Sequence, residues 1–95
     1  MNITRHAFER AEQRVSWDKE TTERMAAKAL QFGVRHQDVS GSLNRYITKL
    51  YFGKSHPDNV RIYGEHVYLF KLDTLITVIL LPRKYRNAVR RNQNP

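Results

Sequence analysis

The apolar period changes once along this chain, at Lys54-Ser55-His56-Pro57-Asp58-Asn59, and that change limits the fold more than any other feature. Proline, asparagine and aspartate supply a fixed φ and local backbone hydrogen bonds, so the segment predicts a turn. Before it, apolar residues recur at helical spacing; after it, they alternate. A chain that is helical first and stranded second is α+β, here with two to three N-terminal helices packed on a small antiparallel sheet of three to four strands.

The first helix is predicted to start at Arg5. Thr4 is a good N-cap, and Ile3 and Phe8 stand at the spacing of a hydrophobic staple. At about 100° per residue, Ala7, Phe8, Ala11 and Val15 share one side while His6, Arg10 and Gln13 share the next, with Arg14 at the border. Val15 to Asp18 reads as a corner. A second helix is expected from Lys19 to Phe32, with Gly33 stopping it at C′ and Thr22, Met25, Ala26, Ala29 and Leu30 as its buried stripe. Residues 34–41 are polar and read as a connection. Leu43, Tyr46, Ile47, Leu50 and Tyr51 fit a third helix between Ser42 as N-cap and Gly53 as stop, with a strand through Tyr46 to Phe52 as the rival reading.

Downstream, Val60–Tyr63, Val67–Lys71 and Thr74–Leu81 read as strands joined by tight turns at Gly64-Glu65 and Leu72-Asp73. The last is apolar on both faces, which predicts a central strand with helices on one side. Pro82 ends it, and a basic helix or tail is expected through Arg91, with 92–95 fraying. Ninety-five residues form one compact domain without repeats or low-complexity linkers.

Charge narrows the partners. The net charge is +8, and it is uneven: residues 1–48 hold eight basic and six acidic side chains, while residues 49–95 hold nine and three. Five basic residues and no acidic one follow Pro82. That composition suits a polyanion, with RNA as the leading partner and Arg61, Arg83, Lys84, Arg86, Arg90 and Arg91 as candidate phosphate contacts. Tyr63 and Tyr68 are candidate base-stacking residues, although tyrosines in strands more often serve sheet packing. The basic tail has too thin an apolar face to insert at a membrane. With no cysteine, no apolar leader and no apolar run long enough to span a bilayer, the expected setting is a reducing cytoplasm, the protein acting as a monomer or small homo-oligomer.

Metal chemistry is disfavoured because the four histidines, His6, His36, His56 and His66, lie on separate segments without ligand spacing. Isolated glycines exclude a nucleotide phosphate loop. No cofactor is expected. What remains is metal-free cleavage of RNA, which needs a base for the ribose 2′-hydroxyl, cations for the phosphorane and an acid for the leaving oxygen. His6 supplies a proton-transfer group, with Arg10 and Arg14 on the following turns of the same helix as cations. The competing description is an ordinary solvated helix face.

The element Ile3-Thr4-x-His6-Ala7-x-x-Arg10, followed by a second amphipathic helix and a closing strand Leu75-Ile76-Thr77-Val78-Ile79-Leu80-Leu81, resembles small toxin-like and phage-encoded proteins of the barnase, EndoU, colicin and RelE superfamily. The resemblance implies two N-terminal helices on a four-stranded antiparallel sheet and, in many members, metal-independent endoribonuclease activity. It also implies that His6 and Arg10 are the helix-borne polar pair and Thr77 the polar interruption of the last strand, giving a catalytic set of His6, Arg10, Arg14 and Thr77. The helical period of residues 43–52 departs from the family, which more readily has a strand there. Other readings are a non-catalytic nucleic-acid-binding or regulatory protein, and an inhibitor docking on a host protein; an acidic antitoxin-like partner is a further expectation.

Overall fold

A computed structural model describes the backbone of residues 1–93 and the side chains of residues 1–89. The fold is α+β. Its strands are β1 (Asn2–Ile3), β2 (Val34–Arg35), β3 (Asn59–Tyr63), β4 (His66–Lys71) and β5 (Thr74–Leu80), and its helices are α1 (Arg5–Val15), α2 (Lys19–Phe32), α3 (Gly41–Tyr51) and α4 (Arg86–Gln93). Single 3₁₀ turns occupy His36–Asp38 and Arg83–Tyr85.

The Thr4 cap acts as read, whereas Asp18, read as part of a corner, also caps a helix. Thr4 Oγ1 accepts from the Ala7 N–H at 3.0 Å, capping α1. Asp18 caps α2 by accepting from the Thr21 N–H at 2.7 Å, and that bond is the main reason its carboxyl sits below the usual range. Residues 43–51 are helical, as their period requires, and the strand alternative is excluded. The helix begins two residues earlier than expected, with Ser40 at the N-cap. Gly33 is a correction of mechanism: it is extended at φ −65°, not left-handed. A Cβ there would stand 2.4 Å from the Ala29 carbonyl oxygen and 3.0 Å from Arg61 Cβ, so the glycine is required by close approach.

The sheet differs more. It has five strands in the order β1-β5-β4-β3-β2, antiparallel except for β1, which runs parallel to β5. The stretch expected as a connection contains β2, which pairs Val34 with Ile62 and Arg35 with Arg61. The central strand is β4, not β5. Both faces of β4 are covered, so Val67 to Phe70 are all buried. Ala7, Ala11, Ala26 and Ala29 let α1 and α2 come close over Tyr68, Phe70, Leu75 and Val78. Leu43 and Ile47 of α3 and Val89 of α4 cover Val34, Val60, Ile62, Val67 and Leu69 on the other face. Helices thus flank the sheet on both sides rather than one.

The β1–β5 pairing stops after Asn2–Thr74 and Ile3–Leu75. Beyond Ile3, α1 takes over and packs along β5. There β5 carries a bulge: Phe70 pairs with Leu75 and Leu69 with Thr77, leaving Ile76 as the extra residue. This irregular strand beside α1 forms the floor of the candidate site.

Candidate nucleic-acid interface

His6, Arg10 and Arg14 recur at intervals of four, so they form a ridge rising about 6 Å per step along α1. His6 and Arg10 line a shallow depression of about 240 Å³ with Thr4, Ser55 and Ile76. The Arg14 guanidinium donates to Thr77 Oγ1 at 3.3 Å. The structure therefore brings His6 to Arg10, and Arg14 to Thr77, along one helix edge. Ser55 was not singled out in the sequence, because only the tertiary fold carries the turn after α3 to the edge of α1.

The imidazole of His6 is 80% exposed, and its Nδ1 lies 3.6 Å from Glu9 Oε2. Glu9 also meets Arg5 Nε at 3.4 Å. The Glu9 carboxylate stands on the Nδ1 side of the ring, beyond hydrogen-bond distance. Arg10 is half-buried and has no acidic partner among the described residues. A guanidinium without a carboxylate partner keeps its donor fork for an anion. Thr77 is only 4% exposed, so its hydroxyl orients Arg14 and does not itself meet a ligand.

Several expected phosphate contacts have structural tasks. Arg61 donates from Nη1 to the Leu30 carbonyl at 3.0 Å and from Nε to Asn59 Oδ1 at 3.0 Å, tying the C-terminal end of α2 to β3. Arg86 donates from Nε to the Leu81 carbonyl at 3.3 Å and lies 3.6 Å from Glu65 Oε2. Tyr68 is wholly buried, so base stacking on it is ruled out, and Tyr63 is half-buried beside the same core. Burial, with Tyr63 nearby, drives the Tyr68 phenol far above its ordinary range. Arg83 and Lys84 are exposed as expected. The side chains of Arg90 and Arg91 lie outside the described residues; of the stretch 92–95 expected to fray, 92–93 belong to α4 and 94–95 lie outside the described residues.

The remaining histidines are dispersed. His36 meets Thr48 Oγ1 at 2.9 Å, and His66 packs against Trp17 at a tilt of 50° with ring centroids 4.6 Å apart. Among the described residues no group of three or more His, Asp or Glu side chains is placed to hold a metal, and no helix is long and apolar enough to cross a membrane. Comparisons with protein-family models, curated proteins and solved structures find no match to this chain.

Proposed function

We propose that this protein binds single-stranded RNA along α1 and cleaves it without metal at His6. The observation that carries this reading is the shared depression of His6 and Arg10, with Arg14 anchored on Thr77 one turn further. The resemblance of the Ile3–Arg10 element to the barnase, EndoU, colicin and RelE superfamily supports the same reading; so do two N-terminal helices ahead of an antiparallel meander, although β2 and α3 stand between them.

The residues suit one reaction. His6 Nε2 takes the proton of a ribose 2′-hydroxyl while Glu9 stands on the side of the opposite ring nitrogen. The 2′-oxygen then bonds to phosphorus as the bond from phosphorus to the 5′-oxygen breaks, and water protonates the departing oxygen. The products are a 2′,3′-cyclic phosphate and a 5′-hydroxyl. Arg10, which shares the depression with His6, supplies a cation for the charge that builds on the phosphorane, with Arg14 one turn further along α1. A fluorogenic RNA incubated in excess EDTA tests this: cleavage that His6→Ala abolishes is expected, and intact RNA at high protein concentration refutes it.

A second reading, RNA binding without cleavage, is favoured by the 80% exposure of His6. No other imidazole or carboxylate lines the depression to act as the acid. Retained RNA binding with no EDTA-resistant cleavage selects it.

A further inference from the structure

Between Asp38 and Asp58 the chain has no acidic residue, yet it carries Arg45, Lys49 and Lys54. On α3, Ser42, Arg45, Lys49 and the C-cap residue Phe52 are all exposed and fall within about 80° of one another around the axis, so they form one stripe. Neither cation has an acidic partner among the described residues. Phe52 is 81% exposed at the end of this stripe and takes no part in either core cluster. An aromatic ring so placed on a basic helix is unexplained by folding.

One end of the stripe lines a concavity, and the turn that follows the other end reaches a second. Ser42 lines a polar cavity of about 610 Å³ shared with Ser40, Lys84, Tyr85 and Asn87, and no acidic residue lines it. Lys84 Nζ stands 5.2 Å from the centre of the Tyr85 ring, which in turn lies 4.9 Å from the ring of Tyr46. At the other end, three residues past Phe52, Ser55 lines the depression of His6 and Arg10.

We infer that single-stranded RNA runs along the outer stripe of α3, from the Lys84–Tyr85 cavity to the His6–Arg10 depression, with phosphates at Arg45 and Lys49 and a base stacked on Phe52. This rests on the RNA reading above and gives it a second wall. Two cations with no acidic residue between them, beside an exposed aromatic ring, suit a flexible polyanion and tolerate any base. Ser42 to Phe52 spans about 15 Å, the length of four to five nucleotides at a stacked rise of about 3.4 Å.

The test uses a fluorescein-labelled, 2′-O-methylated uridine octamer, which cannot be cleaved through its 2′-oxygen, with anisotropy read in EDTA over a salt series. Arg45→Glu/Lys49→Glu is expected to weaken binding at least tenfold and to flatten the log–log salt slope by about 1.4, at about 0.7 for each phosphate contact. Phe52→Ala is expected to weaken it at least about fivefold. Arg24→Glu/Lys28→Glu on α2 makes the same charge change on another helix, and Arg10→Gln reports on the α1 site. Thermal melts establish that each variant folds. An equal loss from the α2 and α3 pairs, or wild-type affinity in both the α3 pair and Phe52→Ala, overturns the α3 path. Loss in the α3 variants with none in Arg10→Gln keeps RNA on the α3 stripe but overturns the end of the path at the His6–Arg10 depression and with it the α1 reading; loss in Arg10→Gln with none in the α3 variants refutes the α3 path alone. Absence of octamer binding by the wild-type protein overturns both.

Discussion

Replacing Gly33 separates two explanations of why a glycine ends α2. A left-handed C′ residue would accept asparagine almost as well as glycine. The observed extended φ of −65° imposes no such requirement. The obstacle is instead the Ala29 carbonyl oxygen, 2.4 Å from any Cβ added at Gly33. That oxygen is backbone, already accepts the Gly33 N–H at 2.8 Å, and has no rotamer by which to move away. Arg61 closes the other side, with its Cβ at 3.0 Å and its guanidinium on the Leu30 carbonyl. Relief therefore requires the last turn of α2 to shift away from β3. Overpacking of this kind costs about 1–3 kcal/mol, and weakening the Arg61 bond adds about 1 kcal/mol. Gly33→Ala should lose roughly 2–4 kcal/mol in urea unfolding followed by far-ultraviolet circular dichroism. For a domain of this size that lowers Tm by roughly 8–30 °C. Gly33→Asn should lose as much. Stability within about 0.5 kcal/mol of wild type for Ala, or recovery with Asn, would refute the close-approach explanation.

Leu72 holds φ +50° at the β4–β5 turn while 82% exposed, so Leu72→Asn should gain about 0.5–1 kcal/mol in the same urea assay; a loss would mean that the leucine has an unseen partner. The buried Tyr68 hydroxyl has no hydrogen-bond partner among the described residues, and Tyr68→Phe should be neutral or stabilising by up to about 1 kcal/mol, a result that a drop of 2 kcal/mol would contradict. Burial holds the His66 pKa below its ordinary value, Arg86 adds to the effect and Glu65 opposes it. The unfolded chain therefore takes up the proton first, so this contribution to stability is complete above about pH 6.5 and fades as pH falls toward the folded value. Because His66 packs against the sole tryptophan, fluorescence of Trp17 should titrate within that acidic window, and His66→Gln should remove the step.

α1 was legible from its Thr4 cap, and α1, α2 and α3 from their buried stripes. Thr4, Asp18 and the Leu43-to-Tyr51 spacing are local facts, and local facts place α1, α2 and α3. β1 and β2 were not legible, since two residues cannot display a period and exist as strands only through β5 and β3. β5 reads as central from its apolar run, but α1 covers its outer edge, and β4 holds the middle. Among site residues, the His6, Arg10 and Arg14 ridge followed from helical spacing alone. The tasks of Arg61 and Arg86 depend on carbonyls that only folding brings near, and the burial of Tyr68 depends on α1 and α2 crossing β4. The α3 stripe had a visible signal: Arg45, Lys49 and Phe52 fall outside the apolar template of that helix.

Chemical-shift mapping bears most directly on the claim that α1 is an RNA-binding edge. The ¹⁵N-labelled protein, titrated with the uncleavable uridine octamer, should show its largest amide shifts at residues 6–14 and at Ile76 and Thr77, with the signals around Ser55 moving in parallel. Shifts confined to α2, or a spectrum unchanged at millimolar RNA, would contradict it.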